Sequence, residues 1–193
     1  SQACRGAITG DGIVAVGTLS FFSLTSGDGN TAVGHNSGEF ATTADNCTFL
    51  GYNAGQGITG TKLTGNNNTA VGKDAGLLLQ GAAHSNTIFG SGAGSALSNG
   101  DSNTIIGEDA GKGASGFYQS TYVGNGAGGA GTGNFQTALG VGALSGSHSG
   151  SGYNIAIGIN AGNAITSGTH NTLIGREADV GAATDSNQLM IGS

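Results

Sequence analysis

The sequence predicts an all-β fold: a parallel β-solenoid, or β-roll, of about eleven coils of about 17 residues. Three observations predict it. A short apolar motif ending in glycine recurs along nearly the whole chain. Each recurrence is followed by residues that accept a left-handed backbone. The 193 residues include 41 Gly and no Pro, with only 8% charged. That composition suits either a flexible linker or an ordered array of small side chains. A linker has no reason to hold a register, and this chain holds one.

The register is set by a glycine at positions 17, 34, 51, 72, 90, 107, 124, 140, 158, 175 and 192. The steps between them are 17, 17, 21, 18, 17, 17, 16, 18, 17 and 17 residues. Before each anchor stands an apolar residue: Val16, Val33, Leu50, Val71, Phe89, Ile106, Val123, Leu139, Ile157, Ile174 or Ile191. This column is taken as the structural core. Two residues earlier the residue is usually Thr, as at Thr31, Thr69 and Thr104. The residue between is apolar as well, for instance Ala32, Phe49, Ile105 and Tyr122. Thr-x-Val therefore reads as a short strand, apolar towards both faces and so buried on both.

A corner follows each strand. The second residue past the anchor is Asn, Asp or Gly in most copies, including Asn36, Asn53, Asp74 and Gly92. These residues tolerate positive φ. A small residue and a further Gly come next, as in Ala54-Gly55 and Ala110-Gly111. The remainder of each copy is variable and rich in Ser, Thr, Gly and Asn, as a surface loop should be. Strand, corner, second extended piece and loop make one coil. Stacked about 4.8 Å apart, eleven coils give a rod on the order of 50 Å long. Residues 1–12 precede the pattern and are expected to form an irregular N-terminal cap, with 13–193 as the solenoid domain. Strands apolar on both sides need a second buried surface outside the coil. A homotrimer around a common axis would supply it, and a flattened monomeric coil with two packed faces is the alternative.

Several function classes are excluded by composition. Five Lys and Arg on a chain of net charge −6 cannot build a phosphate-binding face, so nucleic acid is not an expected partner. No apolar run approaches the roughly 20 residues of a membrane span, so no membrane insertion is expected. Ser1 opens no signal-peptide pattern, so any such segment is expected to be removed or to lie outside these residues. Enzyme motifs are missing as well. His35, His84, His148 and His170 show no metal-ligand spacing, and no metal or cofactor is expected. Gly126 to Gly131 matches G-x-G-x-x-G, which a glycine-rich chain produces by chance. Cys4 and Cys47 fall in different columns and coils. A folded-back terminus, a bond between subunits, or two free thiols all fit them.

The strings Asn30-Thr-Ala-Val-Gly34, Gly65-Asn-Asn-Asn-Thr-Ala-Val-Gly72 and Asn154-Ile-Ala-Ile-Gly158-Ile-Asn-Ala-Gly162 resemble the head repeats of trimeric autotransporter adhesins. They resemble still more the repeat arrays of bacteriophage tail fibres. Leu19 to Gly27 is similar to the linking part of such fibre repeats, and Asn187 to Gly192 to the coil that precedes an endosialidase-type intramolecular chaperone. The resemblance covers about 180 residues. It implies a left-handed, trimeric β-roll that serves as a fibre shaft or attachment module. It also implies an extracellular location, on a virion tail fibre or a cell surface, and a receptor or glycan as partner. The coils here are longer than those of adhesin heads.

Candidate binding residues follow from the columns. Five residues before the anchor, Phe135, Tyr153 and His170 fall on successive coils and are expected to form an exposed aromatic strip. Phe117 and Tyr118 lie one coil away, and together these rings are the candidate sugar or receptor contact. The longest coil carries its insertion between Gln56 and Asn67, with Lys62 at the expected tip. The Thr column would suit ice or carbohydrate, although one rank of hydroxyls is fewer than an ice-binding face normally has. The Asn column, Asn30, Asn68, Asn86, Asn103, Asn154 and Asn171, is expected to form an internal amide ladder.

Overall fold

The strand motif becomes a strand in every copy. The computed structural model describes residues 2–5, 8–113, 115–131, 133–146 and 152–192. Among them are eleven three-residue strands and no helix. In chain order they are β1 (Val14–Val16), β2 (Thr31–Val33), β3 (Thr48–Leu50), β4 (Thr69–Val71), β5 (Thr87–Phe89), β6 (Thr104–Ile106), β7 (Thr121–Val123), β8 (Thr137–Leu139), β9 (Ile155–Ile157), β10 (Thr172–Ile174) and β11 (Leu189–Ile191). They pair in parallel, each with its sequence neighbours, in one sheet. The chain is a β-solenoid.

The register is the one the anchors impose. Thr31 pairs with Thr48, Thr48 with Thr69, and Thr69 with Thr87. The 21-residue step between Gly51 and Gly72 does not shift it, because the extra residues leave on the return side of the coil. There, Leu63 bridges to both Ala41 and Gly81. Residues 2–5 and 8–12 carry no strand but already follow the array. The Cys4 and Thr9 amides donate to the Ser20 and Thr25 carbonyls, at 3.1 and 2.9 Å.

The core lies one residue away from the column expected to form it. Val16, Leu50, Phe89, Ile106, Leu139, Ile174 and Ile191 are exposed, while Val33, Val71, Val123 and Ile157 are half-buried. The buried strand position is the middle one: Ala32, Phe49, Ala70, Ile88, Ile105, Tyr122, Ala138, Ala156 and Leu173 are each 0% exposed. Parity explains it. Asn at the position before the strand points inward, side chains alternate, and so the middle residue also points inward. Thr and the residue before the anchor then share the outer face.

The interior is filled by complementary volumes. Phe49 lies between Ala32 and Ala70 in the stack, and Gly55 abuts its ring. Tyr122 lies beside Ala138, with Gly128 against its ring. On the return side, Leu24, Leu63, Leu79, Leu97, Phe117 and Ile165 complete the core.

The Asn column is the internal ladder the sequence suggests. Asn30, Asn68, Asn86, Asn103, Asn154 and Asn171 are all buried. Asn103 Nδ2 donates to Asn86 Oδ1 at 2.9 Å and to the Phe117 carbonyl at 2.8 Å. Asn103 Oδ1 accepts the Ser120 amide at 3.0 Å. Each side chain thus satisfies buried backbone groups of the next coil. Cys47, Ser120 and Gln136 stand in the same column and interrupt it.

The corners are left-handed as expected. Asn36, Asn53, Asp74, Asp109 and Asn160 have φ between 54° and 57°. The anchor glycines are held by a stricter demand. Gly107 has φ 130°, and a Cβ on it would strike the carbonyl of the next anchor, Gly124. The same overlap recurs from anchor to anchor, so the glycine file is a file of touching backbones.

Candidate functional site

The outer sheet face carries a file of exposed apolar side chains. Its two ranks are the Thr column and the column before the anchor, and the latter is 56% exposed at Val16 and Phe89. At three coils the residue just past the anchor adds to it, as exposed Tyr52, Val141 and Ile159, whereas Lys73, Glu108, Asn125 and Arg176 hold that position in others. From the Thr column to the column before the anchor the face is two residue spacings, about 7 Å, wide, and it follows eleven strands for about 48 Å. Its projected area is on the order of 300 Å2, within the range of the largest patch on a monomer. The Thr hydroxyls lie on this face in a single rank. Among the described residues, no hydrogen bond joins one Thr of the column to the next.

The aromatic strip forms. Phe135 and Tyr153 stack with centroids 4.8 Å apart and planes 8° from parallel. Tyr153 and His170 stack at 4.9 Å and 13°. All three residues are exposed and left-handed, with φ of 56°, 47° and 60°. The left-handed backbone comes from the coil corner, since Asn46, Asn67, Ser85 and Ser102 share it. The stack therefore sits on a fold-imposed corner. Its rings turn most of their faces to each other, so the interior of the strip offers edges rather than open platforms.

Phe117 is not part of this surface. It is 0% exposed and packs on Tyr122 with centroids 5.1 Å apart. Alternation again decides, since Phe117 and its neighbour Tyr118 point to opposite sides and Tyr118 is the exposed one. Lys62 is not a free tip either. Its Nζ donates to Ser23 Oγ at 3.1 Å and lies 5.4 Å from the Phe40 ring centre, a cation–π contact that pins it back along the coils. The exposed tip is Thr59 to Thr61.

One column escaped the sequence reading. Six residues before the anchor, Asp28, Asp45, Asn66, Asp101 and Asn134 each accept the backbone amide of the preceding coil, at 2.8–3.0 Å. The signal was legible as a file of Asp and Asn at constant offset. Its role is capping, not catalysis.

The remaining polar groups are dispersed. Among the described residues, no three His, Cys, Asp or Glu come together as a metal site would require. His35 stacks on Tyr52 at 5.3 Å, and His84 faces Asp101 at 3.5 Å. His148 lies outside the described residues. Cys4 and Cys47 are both free thiols. Burial pushes the pKa of each up, and Cys47 Sγ is hydrogen-bonded to the Asp45 and Gly65 carbonyls. Buried and protonated, Cys47 is a small core residue rather than a nucleophile.

Compared with protein-family models, with curated proteins and with solved structures, the chain matches none.

Proposed function

We propose that this chain is a structural attachment module, a shaft or head segment of a phage tail fibre or surface adhesin. It works by rigid display, with no chemistry of its own. The observation that carries the reading is the outer apolar band. Eleven coils place an apolar residue at one outward position, in register, exposed in seven of them and half-buried in the other four. A narrow band as long as the rod suits a three-fold axis parallel to the stack. Three copies of the chain then bury Val16, Leu50, Phe89, Ile106 and Leu139 against each other. Loops and corners on the return side stay free for a receptor or glycan. The resemblance to fibre repeats supports the same arrangement and an extracellular, virion or cell-surface location.

Molar mass in solution tests the reading. A mass of three chains that survives mild detergent is expected. A single-chain mass would overturn the trimer and favour a second reading that uses the same band: a monomeric solenoid binding ice or glycan, with the Thr rank beside the apolar rank. An unbounded size distribution would point to end-to-end growth into an extracellular filament.

A further inference from the structure

The insertion that lengthens one coil shapes a cleft. Thr61, at its exposed tip, overhangs the return segments of the next coils, and a cavity of about 500 Å3 lies between Thr61, Gln80, Ser98, Asn99, Asp101 and Tyr118. That volume is within the range of small-molecule sites, about 300–1,000 Å3. Its lining is unlike the apolar pocket such sites usually have. Two amides, two hydroxyls and one carboxylate face a single exposed aromatic residue. Among the described residues no second ring stacks on Tyr118, in contrast to the spent faces of the Phe135–Tyr153–His170 stack.

The polar groups are held in place by the coil structure. Tyr118 is fixed through its backbone, its amide donating to Asn134 Oδ1 at 3.0 Å and its carbonyl accepting the Phe135 amide at 3.0 Å. Asp101 Oδ1 accepts the His84 amide at 3.0 Å, which orients the carboxylate and leaves Oδ2 facing His84 Nε2 at 3.5 Å. Ser98 Oγ donates to the Ser115 carbonyl at 2.7 Å and keeps its lone pairs. Gln80 Oε1 is shielded from solvent and therefore lies out of reach of a ligand in the cleft, so it makes no part of the contact.

We infer that this cleft binds a neutral oligosaccharide of two or three residues. A sugar presents hydroxyl edges to amides and carboxylates and an apolar C–H face to an aromatic ring, which is the pairing on offer. Charge narrows the class. Asp101 is the one carboxylate of the lining, and Lys62, next to Thr61, is turned away to Ser23 and Phe40. Sialylated and other acidic glycans meet the Asp101 carboxylate here, and no lining residue is a Lys or Arg that would pair with them. The inference rests on the attachment reading and gives it a ligand class.

Saturation-transfer NMR on the 193-residue chain tests it. Lactose, N,N′-diacetylchitobiose and maltotriose are the neutral probes, and 3′-sialyllactose is the acidic one. At least one neutral probe is expected to receive saturation at millimolar concentration. Tyr118→Ala and Asn99→Ala are each expected to weaken it tenfold or more with an unchanged circular dichroism spectrum, while Tyr153→Ala leaves it intact. Three outcomes overturn the inference: no transfer to any neutral probe, stronger transfer to 3′-sialyllactose, or binding that survives both Tyr118→Ala and Asn99→Ala. Light scattering on the same samples separates the two readings. Three chains without sugar binding removes the cleft and leaves the fibre, and a single chain that binds sugar does the reverse.

Discussion

Asn86 Nδ2 donates to Asn68 Oδ1 at 2.9 Å, one coil below, and to the carbonyl of Gly100, one coil above, at 2.7 Å. One side chain thus ties three coils together in a region closed to water. Its Oδ1 does the same by accepting from Asn103.

Asn86→Ala removes these bonds without removing the groups they satisfied. The Gly100 carbonyl and the Asn103 amide become buried orphans, each costing about 1–3 kcal/mol. A loss of about 3 kcal/mol is expected, roughly 6–12 °C in Tm for a chain of this size. Thermal melting followed by circular dichroism checks it. An unchanged Tm would mean that the ladder carries no weight.

Ile105 and Ile106 are adjacent and should respond oppositely to the same substitution. Ile105 is fully buried and Ile106 is 37% exposed on the outer band. Ile105→Asp places an unpaired charge in the interior, and loss of folded signal is expected. Ile106→Asp places it in the proposed subunit contact. The solenoid should remain folded while the molar mass falls from three chains to one.

Two glycines separate strain from collision. Gly126 has φ 64° with open space around its Cα, so Gly126→Ala should cost only the left-handed penalty, about 1–2 kcal/mol. Gly107→Ala adds a methyl against the Gly124 carbonyl and needs the backbones to part. Urea denaturation should show a loss at least twice as large for Gly107→Ala. Equal losses would refute the touching-backbone account of the anchors.

Tyr122 gives the fold an alkaline limit. Burial pushes its pKa up to about 12, from the 10 of a free phenol. Ser120 lies near enough to pull it slightly the other way, but its Oγ is committed to the Tyr118 carbonyl at 3.1 Å, and among the described residues the phenol oxygen has no partner. The folded state therefore holds this proton more tightly than the unfolded state does. The stabilisation is complete below pH about 10 and is lost as pH rises through about 12, a change of roughly 3 kcal/mol. Stability measured from pH 9 to 12 should fall in the wild type and fall less steeply in Tyr122→Phe, the remaining slope coming from the buried thiols of Cys47 and Cys4. A Tyr122→Phe profile with the full wild-type slope would place the titrating group elsewhere.

The repeat period, the strands, the corners and the amide ladder were all legible because each forces a residue type at a fixed offset. The face assignment was not. Both Ile105 and Ile106 are apolar, so hydrophobicity alone does not say which faces in. The answer was present in parity, since an internal Asn103 places Ile105, two residues on, on the same inner side. The aromatic stack was legible for the same reason as the ladder, being a column. Phe117 was misplaced because a single ring beside Tyr118 has no column to mark its side. The cleft was hidden because, of its polar and aromatic residues, only Asp101 and Tyr118 share a fixed offset, six residues before their anchors, while Thr61 comes from the one lengthened coil.

The amide file is broken at Cys47 and, over two coils, between Asn103 and Asn154, where the column holds Ser120 and Gln136; among the described residues the buried Gln136 amide has neither atom bonded. In a stack where each coil leans only on its neighbours, stability is a sum of local junctions, and the rod is as strong as the poorest of them. Under tension along its axis, or under a protease, this chain should part at that joint. It would then yield one piece ending near β7, carrying the Asn68–Asn86–Asn103 run, and another beginning near β8, carrying Asn154 and Asn171.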